Sequence, residues 1–163
     1  MSIRIATEDD ILGILSLQSQ NLYSNLAADE LAGGFVMTPF TPDLIVQVLE
    51  QSGVFVAEVD SQIIGYLIAG DWNFFSQWEI FRLMVARLPE LEFKGRKIEV
   101  MESFQYGPIC IDRSYRGSNI LSDLFTMMKD QFSPKTGVTF INKLNQRSFI
   151  AHKHKLKDRK SVV

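Results

Sequence analysis

Residues 111–125 read "IDRSYRGSNILSDLF": the end of a β-rich run, a turn rich in small polar residues, and the opening of a helix. A helix N-terminus leaves its first amides without intrahelical partners and carries a partial positive charge, so it stabilises an anion such as a phosphate. Gly117 lets the backbone approach a ligand closely, Arg116 supplies a cation, and Ser118, Asn119 and Ser122 are small enough to leave the amides accessible. The plainer reading of the same residues is a turn at Gly117 and a helix capped at Ser118. On local chemistry alone the two readings stand level.

Outward from that stretch, strand-like and helix-like segments alternate. Residues 99–111 have strand character, 118–132 helical character, 138–142 strand character, and 145–156 helical character again. Two successive strand-to-helix units imply parallel strands joined by crossover helices. Near the N-terminus, "SIRIA" alternates as a short strand, and Thr7 with Asp10 forms a weaker capping box before a helix striped by Ile11, Leu15 and Leu22. Thr41 caps a second helix with Pro42 at its first position and Leu44, Ile45, Val48 and Leu49 on its buried face.

Residues 54–59 and 62–69, parted by Asp60 and Ser61, read as an antiparallel hairpin, with Gly65 marking a bulge or a close backbone approach. The aromatic segment 71–95, "DWNFFSQWEIFRLMVARLPELEFKG", is expected to be a helix ending by Pro89. It serves either as additional core or as a wall of a substrate site or dimer surface. The elements together predict one α/β (α+β) domain over 1–163, a mixed sheet flanked by helices.

Composition narrows the function classes. Of the 163 residues 46% are apolar and 22% charged, ordinary soluble usage that argues against disorder and fibrous repeats. A formal net charge of -2 argues against a general nucleic-acid or membrane-surface binder. The basic run "HKHKLKDRK" lacks interleaved aromatics and reads as a solvated helix end. No apolar run reaches the length of a membrane span and "MSIRIATEDD" lacks a signal peptide's core, so a cytoplasmic location is expected. The single cysteine, Cys110, forms no internal disulfide, and His152 and His154 are too sparse for a metal site.

The segment "ICIDRSYRGSNILSDLF" resembles the acyl-CoA-binding segment of the GCN5-related N-acetyltransferase (GNAT) superfamily. That pattern runs valine, any residue, proline, two residues, then Arg-Gly-x-Gly-x-Gly/Ala. Ile111 stands at the valine, Arg113 at the proline, Arg116 and Gly117 at the Arg-Gly pair, and Asn119 and Leu121 at the next two small positions. Asn is the least strained replacement for a glycine at positive φ. Downstream, "NQRSFIAHKHKL" resembles the superfamily's last helix, with Asn145, Ser148 and His152 at positions that line the cofactor arm. Spacings of three and four residues put these side chains on one helical face.

The resemblance implies a mixed, mainly antiparallel sheet flanked by helices, with a helical insertion after the third strand and a shortened C-terminus. It also implies transfer of an acetyl group from acetyl-CoA to a primary amine, of a small molecule or a protein, by direct attack in a ternary complex. The cofactor would lie against Ile109, Cys110, Ile111, Arg116, Gly117, Ser118, Asn119, Ile120, Leu121, Ser122, Asn145 and Ser148. His152 stands where the family often has a tyrosine acid, and a surface histidine is the alternative. Gln105 falls where the family often places a carboxylate base and cannot take a proton, so Glu102 is the candidate, through water, with Glu99 nearby and Tyr106 able to position the amine. After the last helix the family continues with a Gly-Phe turn and two strands; here Lys157 stands at the glycine and at most one strand, over 158–163, can follow. A partner chain could supply the missing hairpin, which makes a homodimer an expectation. A non-catalytic acyl-CoA binding or regulatory module of the same fold is the alternative function.

Overall fold

Residues 1–156 are described by the structure, a computed structural model. Its centre is the hairpin foreseen from sequence, β2 (Val54–Val59) and β3 (Gln62–Gly70), in antiparallel register. Strand β1 (Ser2–Ile5) pairs antiparallel with β2. On its other side β3 pairs antiparallel with β6 (Ser103–Ile111), and β6 pairs in parallel with the short β7 (Thr136–Val138), giving the order β1-β2-β3-β6-β7. The sheet is therefore mixed and mainly antiparallel, as expected.

Two apolar clusters bury its faces. Helix α5 (Ile120–Phe132) covers one face, with Ile120, Leu124 and Met128 against Phe55, Ala57, Leu67, Phe104 and Tyr106. Gly65 is the close approach read from sequence: a Cβ there would lie 3.2 Å from Ile120 Cγ2. The opposite face carries α1 (Ile11–Ser19) and α2 (Pro42–Leu49), whose Ile14, Leu17, Ile45 and Val48 pack on Val54, Val56, Tyr66 and Ile68. Both start signals are real. The Asp10 carboxylate accepts from the Thr7 amide at 2.8 Å, and the Thr41 hydroxyl accepts from the Leu44 amide at 3.4 Å ahead of Pro42.

Five expectations need correcting. The aromatic segment is two helices, α3 (Trp72–Phe75) and α4 (Glu79–Arg87), followed by a two-stranded hairpin of β4 (Glu92–Phe93) and β5 (Arg96–Lys97). Asp71 caps α3 by accepting from the Phe74 amide at 2.8 Å, and Arg82 of α4 donates back to the Ser76 carbonyl at 2.7 Å. Strand β6 begins at Ser103, not at residue 99: the Ser103 hydroxyl donates to the Glu99 carbonyl at 2.6 Å and accepts from Trp72 Nε1 at 3.0 Å, closing a turn over 99–102. Strand β7 covers Thr136–Val138, leaving 139–142 outside the ladder. Helix α5 begins at Ile120, and the last helix, α6, spans Gln146–His154. The strand expected over 158–163 lies outside the described residues. Among the described residues no helix is long and apolar enough to cross a membrane.

Candidate functional site

Strand β6 builds the site by changing its neighbours halfway along. Ser103, Phe104 and Gln105 pair with β3 or β7 or both, but pairing to β7 stops at Gln105. Between Ala69 and Leu67, β3 advances two residues while β6 advances three, from Tyr106 to Ile109, so Gly107 and Pro108 form a bulge. Gly107 sits at φ +110°, a left-handed conformation natural to glycine, and Pro108 has no amide to donate. Past this point β6 and residues 139–142 diverge into a cleft.

Asp112 N–H donates to the Ile64 carbonyl at 2.8 Å, so alternation turns the main chain of Cys110 toward β3 and that of Ile109 and Ile111 toward the gap. The Cys110 side chain is buried on the α1 face, and burial pushes its thiol up to about 12. Of the three β6 residues expected to meet a cofactor, Ile109 and the amide of Ile111 face the gap and the main chain of Cys110 does not.

At the end of β6, Gly117 takes φ +93° with open space where a Cβ would stand. Asn119 does not: at φ -82° it is the right-handed N-cap residue of α5, so the expectation of an asparagine replacing a positive-φ glycine is corrected. The Ser118 hydroxyl donates to the Tyr115 carbonyl at 2.6 Å and accepts from the Ile120 amide at 3.4 Å. The amides of Leu121 and Ser122, in the first turn of a 13-residue helix, have no intrahelical acceptor. Lys155 Nζ donates to the Ser118 carbonyl at 2.8 Å, bringing a cation to the loop that local sequence reading missed because it lies 37 residues away.

Arg116 is turned inward, which corrects its expected role as the loop's cation. Its Nε donates to the Ile111 carbonyl at 2.9 Å, Nη2 to Asn21 Oδ1 at 2.7 Å, and Nη1 to the Gly33 carbonyl. Burial lowers its pKa from the ordinary guanidinium value. It fastens the loop to the segment that follows α1.

Asn145, Ser148 and His152 come together on the cleft's rim, as their spacing required. Asn145 caps α6 by accepting from the Ser148 amide at 3.2 Å and donates to the Phe35 carbonyl at 2.9 Å, so its amide is structural. His152 is only 8% exposed, and Nδ1 lies 2.8 Å from the Ser148 carbonyl. A carbonyl only accepts, so Nδ1 carries a proton. Phe35, Val36, Met37, Phe81 and Phe140 form an apolar wall with Thr38 beside it, and Gln105 is buried among the lining residues. The cavity is narrow, about 90 Å³. Glu102 is exposed in the turn before β6 and is not among the lining residues, which removes the geometric ground for choosing it as a base.

No protein-family model matches the chain, and no curated protein is similar in sequence. Solved structures do match. An aminoglycoside 6'-N-acetyltransferase from Acinetobacter haemolyticus superposes with a TM-score of 0.62 at 19% identity, over 100% of this chain and 95% of its own. A diaminobutyrate acetyltransferase from Paenibacillus lautus, solved with its diamine substrate and coenzyme A, gives 0.61 at 13% identity over 96% and 75%. A ribosomal-protein-alanine N-acetyltransferase from Brucella melitensis gives 0.57 at 20% identity over 95% and 83%. The resemblance carried by 109–125 and 145–156 is thus matched by the whole backbone path, and the chain has the fold of the GCN5-related N-acetyltransferases.

Proposed function

We propose that this protein is an acetyl-CoA-dependent N-acetyltransferase acting on a primary amine. The observation that supports it most is the open main-chain edge of β6 past Gln105, ending in a loop whose Gly117 and first α5 amides suit a pyrophosphate. The donor group, when bound, supplies an activated acyl carbon. Ile109 and the Ile111 amide offer the ladder an amide-rich arm can complete. Gly117, Ser118, Asn119, Ile120, Leu121 and Ser122 shape the anion cradle, and Lys155 supplies the positive charge that Arg116 withholds. Ser148 and Asn145 form the wall opposite β6.

His152 is the proton-carrying group of the site in this reading. Because Nδ1 is committed to the Ser148 carbonyl, exchange takes place at Nε2, which accepts a proton as neutral imidazole and returns it as imidazolium. Its burial beside the ring of Tyr106, centroids 6.0 Å apart, fixes the plane of the imidazole.

Calorimetric titration of the wild-type protein with acetyl-CoA, beside Ser122→Glu, tests the proposal. A carboxylate in the first helical turn favours the helix by about 0.3–1 kcal/mol, so the variant folds at least as well while opposing a bound pyrophosphate. Binding by wild type that weakens at least tenfold in Ser122→Glu is the expected result. A folded wild-type protein that does not bind acetyl-CoA overturns the reading. The absence of a carboxylate among the described lining residues favours a second reading, a binding module without turnover. Acetyl-CoA binding with no thiol release across an amine panel would establish it.

A further inference from the structure

Gln105 is only 2% exposed, and its Nε2 donates to the Tyr106 carbonyl at 2.7 Å. A carbonyl partner fixes which end of the amide is NH2, so the other end is the oxygen. That oxygen, Oε1, is buried and has no hydrogen-bond donor among the described residues. A buried acceptor left without a donor costs about 1–3 kcal/mol, and such orphans call for an explanation. Gln105 lines the cleft between β6 and 139–142, so a donor can reach it as part of a ligand.

The surroundings limit what that ligand is. Phe81 and Phe140 meet edge to face with centroids 5.5 Å apart, and Phe35, Val36 and Met37 continue the apolar lining. Among the described residues no aspartate or glutamate lines the cleft. An alkylammonium entering it would shed water without gaining a counter-ion, a cost that falls on the charged form alone. An arylamine, uncharged at neutral pH and flat, loses little on entry and stacks against aromatic walls.

We propose, on the basis of the acetyl-transfer reading, that the acceptor is a neutral primary amine on an aromatic body, held by an N–H donated to Gln105 Oε1. A primary amine has two N–H bonds, and each has a use. One hydrogen stays on Gln105 Oε1 as the nitrogen lone pair forms the new C–N bond. The C–S bond breaks with its electrons going to sulfur, and the second hydrogen ends there as a proton, giving an amide and a free thiol. Because the nucleophile arrives neutral, no carboxylate is needed to strip an ammonium beforehand, in keeping with a lining that, among the described residues, has Gln105 and no aspartate or glutamate.

The test uses the full chain with p-anisidine, benzylamine and spermidine. Acetyl-CoA binding is measured first by calorimetry, p-anisidine binding separately with and without coenzyme A, and thiol release last. At pH 7 p-anisidine should turn over with kcat/KM at least tenfold above benzylamine and spermidine, the benzylamine gap narrowing toward pH 9 as its neutral fraction grows. Gln105→Leu should raise the p-anisidine KM at least tenfold with acetyl-CoA affinity unchanged, and Gln105→Glu should reverse the preference toward benzylamine. Acetyl-CoA binding combined with a preference for benzylamine or spermidine, or a Gln105→Leu variant with unaltered KM, overturns the proposal while sparing the acetyltransferase reading. Failure to bind acetyl-CoA overturns that reading, and failure to bind p-anisidine in either state overturns this one.

Discussion

Along β6, residues 103–105 lie within the sheet while residues 109–111 have β3 on one side and a gap on the other. In the first half Phe104 is 2% exposed and stacks on Phe132 with centroids 4.4 Å apart. In the second half the side chains are packed as well, Cys110 at 4% exposure, yet the backbone edge is open. One strand thus packs side chains against the core on both sides of the bulge, half-buried at Ile109 and Ile111 and buried at Cys110, while its pairing to β7 ends before Gly107 and Pro108. The two properties belong to different atoms, which lets a binding edge exist without a hole in the core.

Removing a ring from the closed half should do the most damage. Phe104→Ala is expected to lose about 3–5 kcal/mol in urea unfolding, the range for a large aromatic deleted from a core. The acetyl-CoA affinity of the folded fraction should stay within threefold, and a tenfold loss would show that the two halves are not separable. Arg116→Ala, at the far end of the open half, should cost about 2 kcal/mol, since it forfeits charge-assisted bonds to Ile111, Asn21 and Gly33. An unchanged unfolding midpoint would mean that the guanidinium is not the fastening described.

The smallest effect sharpens the same contrast through Cys110. Its folded-state thiol is raised from the usual 9.0 to about 12 by burial, so the folded protein holds the proton more tightly than the unfolded chain. Its contribution is therefore complete below about pH 9 and is lost as pH rises toward 12. Stability of wild type should fall more steeply than that of Cys110→Ala over that window, and the native thiol should resist alkylation at pH 8. Rapid alkylation of folded protein would mean that the side chains of the open half are not packed.

How far the sequence could be read depended on the range of the interactions. Caps at Thr7 and Thr41, the hairpin around Asp60 and Ser61, and the α5 turn at Gly117 rest on neighbours a few residues apart, and each was legible. The facing of Asn145, Ser148 and His152 followed from helical spacing alone. The break between α3 and α4 was not, because aromatic residues at mixed spacing fit one helix as well as two, and the cap at Asp71 carries no unique signature. Arg116 beside a glycine looked like an anion ligand. Its real partners, Asn21 and the Gly33 carbonyl, lie 95 and 83 residues away and leave no local trace. Likewise Gln105 was legible as a residue unable to take a proton, whereas the lack of a donor to its Oε1 among the described residues is a product of packing.

The fork of Arg116 also bears on how this chain can change over generations. Lysine has one terminal nitrogen and cannot reproduce three bonds set by a planar guanidinium. A drift at Arg116 strands the side-chain oxygen of Asn21 and two carbonyls at once, so a tolerable replacement requires a matching change at Asn21 and in the turn at Gly33. The loop after β6 and the segment leading to the apolar wall are thereby coupled, whereas Gln105, Phe81 and Phe140 stand outside this clasp and can change without disturbing it.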